Sequence, residues 1–291
     1  MKKSQAYGLI VLSSFLFGTS GIFVRLLSPY GFSSMQMTAI RGSVSAIALV
    51  IYILINRKKK PDFQLKHLGL YLFSGFCMFI TAFLYYTAME HTTIATAVVL
   101  MYASPLYIMV FSVLFLKEKM SFTKLSALIL MLVGMALVSG IVGGMDFNFW
   151  GLFFAISSGV TYAAYNIAVK INMKKGADPM SSVLVCYIVT GLCAGICGDV
   201  PGLVHLTGQN PLLLWLLIIL LGLCTSAVPH LLYTAALKAI PAGTASTLSL
   251  LEPMTAIIYA MIFFNEPLTV PLMIGGVLIL GAVFLISRIK E

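Results

Sequence analysis

The sequence predicts an all-α integral membrane protein of ten transmembrane helices, arranged as two inverted five-helix repeats. Three observations point there. The chain is 60% hydrophobic and only 9% charged, where a water-soluble domain carries about 25% charged residues. Its apolar residues fall into ten runs of about 20 residues each, the length a helix needs to cross a hydrocarbon core. One half of the sequence also repeats in the other at a constant spacing.

A mean hydropathy of +1.03 leaves too little polar surface to cover a globule, which removes soluble enzymes, disordered tails and fibrous arrays. The formal net charge of +9 would suggest nucleic acid in a soluble protein. Here the basic residues lie in short clusters between apolar runs, so the expected partner is the lipid bilayer and not nucleic acid. Cys77, Cys186, Cys193, Cys197 and Cys224 all fall inside apolar runs, with no CxxC or Cys/His spacing. They read as small packing residues, and no metal site is expected.

In chain order the predicted spans are 6–27, 33–55, 68–88, 92–115, 121–142, 150–170, 179–199, 212–236, 242–264 and 267–287. The start, Met1-Lys2-Lys3, imitates a secretory signal. It lacks an A-x-A-type cleavage site and further spans follow, so it reads as an uncleaved first helix. Charge placement tests the map. With the N-terminus in the cytoplasm, the inner segments hold Lys2, Lys3, Arg57, Lys58, Lys59, Lys60, Lys66, Lys117, Lys119, Lys124, Lys170, Lys174, Lys175, Lys238, Arg288 and Lys290. Only Arg25 and Arg41 lie elsewhere. That bias predicts ten spans with both termini cytoplasmic.

Residues 86–139 resemble 233–287. After one insertion, Thr96-Ala97 matches Thr244-Ala245, Pro105 matches Pro253 and Glu118 matches Glu266, all at an offset of 148. The first helices align more weakly, Gly8-Leu9 with Gly151-Leu152 and Gly31 with Gly176. The expected repeats are 1–142 and 148–291. Because each holds an odd number of spans, they cross in opposite senses, a hallmark of secondary transporters.

These residues carry a recognisable pattern. A Pro-containing helix, an acidic turn and a Gly-containing helix close each half. They read Ser104-Pro105, Lys117-Glu118-Lys119 and Gly134 in the first, then Glu252-Pro253, Asn265-Glu266-Pro267 and Gly275, Gly276 and Gly281 in the second. Ala39-Ile40-Arg41 adds an Arg-containing segment. The chain resembles the EamA-type branch of the drug/metabolite transporter superfamily along essentially its whole length. The resemblance implies a substrate cavity between the repeats. It also implies peripheral fifth and tenth helices that could mediate a homodimer, and substrates that range from amino acids to nucleotide sugars, vitamins and xenobiotics.

Glu252 is the only carboxylate near the middle of a span. A charge at the bilayer centre costs about 3 kcal/mol on insertion scales, so it faces a cavity or a partner. It reads as a proton-coupling site or an anchor for a substrate amine, with a permanent ion pair as the competing reading. Arg41, about 4.5 Å outward of the middle of its helix, is its natural partner, or a bidentate site for a substrate carboxylate. Pro105 and Pro253 break equivalent helices, and such paired breaks point to a binding site. Gly18-Thr19-Ser20-Gly21 is a third break candidate, with close helix packing as the alternative. Ser158, Tyr162, Tyr165 and Asn166 form a polar stripe on the sixth span. Tyr102, Ser104 and Ser249 sit near the Pro breaks, and an aromatic ring beside a carboxylate could hold an organic cation. Tyr85, Tyr86 and Trp150 read as interfacial anchors. His230, after Pro229, reads as a proton relay or a satisfied hydrogen-bonding residue. Gly191-x-x-x-Gly195 reads as close packing.

No GxxxxGK[ST], HExxH or GxGxxG motif occurs, so no ATP site and no cofactor is expected. Protons or a counter-substrate would supply the energy. The expected function is secondary transport of a small polar or amphipathic metabolite, an amino acid or relative, by export. Uptake of an organic cation and an intramembrane lipid-modifying enzyme are the alternatives; a passive channel fits inverted repeats less well.

Overall fold

The computed structural model describes residues 1–55, 61–92, 97, 100–118, 121–138, 148–264 and 270–287. Among these residues there are fourteen α-helices and no strand. They are α1 (Lys3–Gly18), α2 (Ser20–Leu27), α3 (Ser34–Ile55), α4 (Leu68–His91), α5 (Ser104–Leu116), α6 (Phe122–Val138) and α7 (Phe149–Lys174). Then come α8 (Pro179–Cys197), α9 (Val200–Thr207), α10 (Pro211–Gly222), α11 (Val228–Ala236), α12 (Ala242–Leu248), α13 (Leu251–Phe264) and α14 (Val270–Ser287). The expected Arg57–Lys60 cluster, Thr96, Lys119, the Asn265-Glu266-Pro267 turn, Arg288 and Lys290 lie outside the described residues.

Six helical stretches are long and apolar enough to cross a bilayer, and they coincide with the first, second, third, sixth, seventh and eighth predicted spans. Shorter apolar helices lie in the other four. The ends follow local chemistry. The side chains of Asn148, Asp178 and Asp199 accept backbone N–H groups at the starts of α7, α8 and α9, which supplies acceptors to donors that a helix start leaves unpaired. Gly176 stops α7 at φ +83°, where a side chain would strain the backbone. Between the seventh and eighth predicted spans the chain forms the short helix α9, seeded by Asp199 and a Pro in its first turn.

Interruptions matter more than boundaries here. The first span breaks at Thr19, between α1 and α2. The chain turns at Ala103 just before α5, and at Ser249–Leu250 between α12 and α13. Proline explains the last two: Pro105 and Pro253 have no N–H for the carbonyls of Met101 and Ser249, four residues back. The eighth span is also discontinuous, because Leu223–Ala227 forms a π-helical turn between α10 and α11.

Helix α4 packs along α7, and α1 along α11. In the same way α5 meets α7 while α1 meets α13, and α4 meets α8 while α3 meets α10. Two further pairs, α3 with α8 and α6 with α14, complete the set. Exchanging the first half of the chain for the second leaves these neighbours unchanged.

The α3–α8 crossing is made by glycine. A Cβ on Gly42 would lie 2.5 Å from the Gly191 N and Cα, backbone atoms that cannot move aside. Gly195 has nothing within 4 Å of its own Cβ position. The close packing expected of Gly191 is therefore present, but Gly195 takes no part. Gly42→Val is expected to cost about 1–3 kcal/mol of overpacking and to lower the melting temperature in detergent, while Gly195→Ala leaves it unchanged. Equal melting of the two variants would refute this.

Candidate functional site

Where the interrupted helices converge, the structure encloses a cavity of about 580 Å³, within the range of small-molecule sites. Its wall includes Arg41 of α3, Tyr162 of α7, His230 of α11, and Ser249, Leu250 and Glu252 at the α12–α13 break. Met101, Tyr102, Ser104 and Pro105 come from the equivalent break before α5. The lining extends through Gly21 and Val24 to Ser34 in the first turn of α3 and Met89 in the last turn of α4. The cavity thus runs from the interior to one end of the bundle.

Glu252 sits in the first turn of α13. The hydroxyl of Tyr102 donates to its Oε1 at 2.8 Å, joining the two proline-broken segments across the cavity. Ser104 is the 148-offset counterpart of Glu252, so both halves of the chain present a polar residue at the same point of their broken helix.

Arg41 is held elsewhere. Its Nε donates to Ser226 Oγ at 2.8 Å and its Nη2 to the Thr225 carbonyl at 3.1 Å. That carbonyl is free because Pro229, four residues on, has no N–H to offer it. Ser45, one turn further along α3, donates to the Gly222 carbonyl at 2.9 Å. The direct Arg41–Glu252 pairing open from the sequence is not made; among the described residues no ion pair joins the two. Both line the same cavity with their charges anchored on separate helices.

His230 is 5% exposed. Its Nδ1 lies 2.6 Å from the Tyr187 hydroxyl and 3.1 Å from the Ser226 carbonyl, and the Phe17 ring packs edge-on at 4.6 Å. The ring links α8 to the π turn that holds Arg41. Ser249 bonds back to the Ala245 carbonyl at 3.0 Å.

Two candidates stand away from the cavity wall. Asn166 is fully buried: it donates to the Tyr162 carbonyl at 2.9 Å and accepts from the Tyr233 hydroxyl at 2.5 Å, which ties α7 to α11. Gly18 is a packing residue, since a Cβ there would sit 2.0 Å from Thr255 Oγ1. Pro253 belongs to the α13 backbone. Of the stripe on α7, Tyr162 alone lines the cavity, while Ser158 and Tyr165 are buried behind it. Tyr85 and Tyr86, expected as interfacial anchors, line the cavity together with Thr81 and Met78. The spacing Met78, Thr81, Ala82, Tyr85, Tyr86, Met89 is one face of a 3.6-residue helix, a signal present in the sequence but hidden by the uniformly apolar run around it. Trp150 is exposed, as an anchor would be.

Comparison with known proteins agrees with this architecture. The profile of the EamA-like transporter family matches residues 4–140 and again 149–288. An "Uncharacterized transporter" of Archaeoglobus fulgidus is 31% identical over 279 residues, which span 96% of this chain and 95% of that protein. The Bacillus subtilis "Uncharacterized transporter YwfM" is 26% identical over 292 residues, 96% and 95% of the two chains. A solved crystal structure superposes with a TM-score of 0.82 at 17% identity, covering 98% of this chain and 96% of the other, a likeness of fold. The chain belongs to the EamA-like transporter family and is a multi-pass membrane transporter.

Proposed function

We propose that the protein is a ten-span secondary transporter of the cytoplasmic membrane, with both termini in the cytoplasm, that exports a small zwitterionic metabolite such as an amino acid by alternating access. The observation that carries this reading is one cavity of about 580 Å³ that presents a guanidinium and a carboxylate from separately anchored helices. Arg41 takes the substrate carboxylate and Glu252 its ammonium. Met78, Met89, Met101 and Phe17 supply an adaptable apolar wall for the side chain. Support for two inverted halves comes from the 148 offset, the family profile matching twice, and helix neighbours that survive exchange of the halves. The one-sided distribution of basic residues supports the orientation. Direction follows the family resemblance.

Counterflow in proteoliposomes across a panel of amino acids and quaternary amines tests the assignment. Exchange of zwitterions is the expected result, and exchange of quaternary amines alone would overturn it. That second outcome has its own support, because Tyr85, Tyr86, Tyr102 and Tyr162 line the same cavity as Glu252 and aromatic faces attract cations. A lipid-modifying enzyme would need a second catalytic group beside Glu252. His230 Nδ1 is already engaged by Tyr187 and Ser226, and the relatives are transporters.

Tyr102→Phe separates positioning from charge. It removes the only donor shown to Glu252 among the described residues and is expected to raise the apparent KM for an amine-bearing substrate about 10-fold, from about 1.5 kcal/mol for a hydrogen bond to a charged group. An unchanged KM would mean that the carboxylate is positioned without it.

A further inference from the structure

His230 has a second ring nitrogen that its links to other helices do not use. Nδ1 is turned to the Tyr187 hydroxyl and the Ser226 carbonyl. The ring nevertheless lines the cavity, and its Nε2 has no hydrogen-bond partner among the described residues. What that nitrogen offers a ligand depends on where the single proton of an uncharged imidazole sits. On Nε2 the proton makes the nitrogen a donor. On Nδ1 it leaves Nε2 a lone pair.

The hydrogen bonds around Nδ1 select the first form. The Tyr187 oxygen lies 2.6 Å away, below the usual N–H···O range of about 2.7–3.2 Å and inside that of a hydroxyl donor. The Ser226 carbonyl, at 3.1 Å, can only accept. A chain of donors fixes the same direction from its other end. Arg41 can only donate, so its Nε–H makes Ser226 Oγ an acceptor. The Ser226 hydroxyl, hydrogen-bonded to the Tyr187 oxygen, then gives its own proton onward. Tyr187 accepts it and donates its O–H to His230 Nδ1, which leaves the ring proton on Nε2.

Arg41 is arranged to match. Nε and Nη2 share one edge of the guanidinium, and that edge is engaged by Ser226 and Thr225. The rigid fork leaves the pair of N–H groups at its tip, one on each Nη, for a ligand. Ser226 holds both residues, Arg41 through its hydroxyl and His230 through its carbonyl, and both line the cavity. A carboxylate has about four lone-pair sites on its two oxygens, more than the tip of Arg41 fills. Tyr187 is buried in α8 and stands outside the cavity lining.

We propose that two residues make the carboxylate subsite, the tip of the Arg41 guanidinium and the Nε2–H of His230, and that Tyr187 is a positioning residue that keeps the His230 proton on the cavity side. The proposal rests on the reading of the cavity as a site for a carboxylate-bearing substrate.

The test uses the full-length protein with its four histidines isotope-labelled for nitrogen NMR, His230 being the signal that His230→Gln removes. Ring nitrogens with and without a proton resonate far apart, so the spectrum reads the tautomer without substrate. The parent is expected to carry the proton on Nε2, and Tyr187→Phe to move it to Nδ1, where the Ser226 carbonyl accepts it. Propionate, a carboxylate with no amine, is expected to shift the Nε2 signal of the parent, and tetramethylammonium to leave it in place. In counterflow, Tyr187→Phe is expected to raise the KM for zwitterions about 10-fold, as for a lost hydrogen bond to a charged group, with the maximal rate near the parent. A purely structural defect would lower the maximal rate instead. His230→Gln keeps an N–H donor near the Nε2 position whatever stands at 187, so adding Tyr187→Phe to it should raise KM no further. A proton on Nδ1 in the parent, or on Nε2 in both proteins, overturns the proposal. So does a tautomer switch that changes neither KM nor the response to propionate, because His230 is then a structural link alone. If Tyr187→Phe does not fold, the tautomer and propionate response of the parent still decide. A propionate response without flux of any tested zwitterion supports the subsite and removes only the substrate assignment.

Discussion

Glu252→Gln is expected to weaken export of an amine-bearing zwitterion by about 10- to 100-fold and to leave the fold intact. The estimate follows from a hydrogen bond to a charged partner, worth about 1.5–3 kcal/mol, lost between carboxylate and ammonium. Glutamine retains a carbonyl oxygen that can accept from the Tyr102 hydroxyl, so the 2.8 Å bond between the two broken helices survives. Melting in detergent should stay near that of the parent. The control is a carboxylate that lacks the amine: its exchange should be spared, because the group that binds it is on α3. Unchanged zwitterion flux in the Gln variant would show that Glu252 is a structural carboxylate.

Arg41→Met is expected to do the converse, with a stability cost in addition. Zwitterion and carboxylate flux should fall about 10- to 100-fold, while an amine without a carboxylate is still exchanged. The added cost has a separate origin. The guanidinium supplies donors to Ser226 Oγ and to the Thr225 carbonyl that Pro229 leaves unpaired. Removing it orphans a polar group inside the bundle, worth about 1–3 kcal/mol, so the melting temperature should drop. Arg41→Lys keeps the charge but loses the planar fork that serves two acceptors at once. It should recover stability only in part and flux less than that. Together the Glu252 and Arg41 variants form a double dissociation by substrate charge. If both variants lose amines and carboxylates equally, the two groups do not divide the substrate between them.

Much of the architecture was legible in the residues because it rests on local conditions. An α-helix in lipid needs about 20 apolar residues and an internal partner for every backbone group. Both can be read by counting along a line. The breaks at Ala103 and Ser249–Leu250 were legible for the same reason: a proline removes one particular donor. The π turn at Leu223–Ala227 was not anticipated, although Pro229 marked the carbonyl that it frees.

Helix rotation was less legible. Asn166 continues a polar stripe with Tyr162, yet Tyr162 faces the cavity and Asn166 faces Tyr233. Tyr85 and Tyr86 lie late in α4, where an aromatic residue resembles an interface anchor, and line the cavity instead. In an almost wholly apolar helix the usual contrast between wet and dry faces is too faint to give its phase. Which side turns inward is set by the helices packed against it.

By itself, then, the sequence determined that this is an all-helical, multi-pass membrane protein of a transporter family, with a lone mid-span carboxylate and paired proline breaks. Only the tertiary structure decided that Arg41 is held by a proline-freed carbonyl and not by Glu252, and that four tyrosines line one cavity. The physical reason is that crossing a bilayer is a condition each helix meets alone. The position and partner of a buried charge depend on the backbone groups of helices far away in the chain.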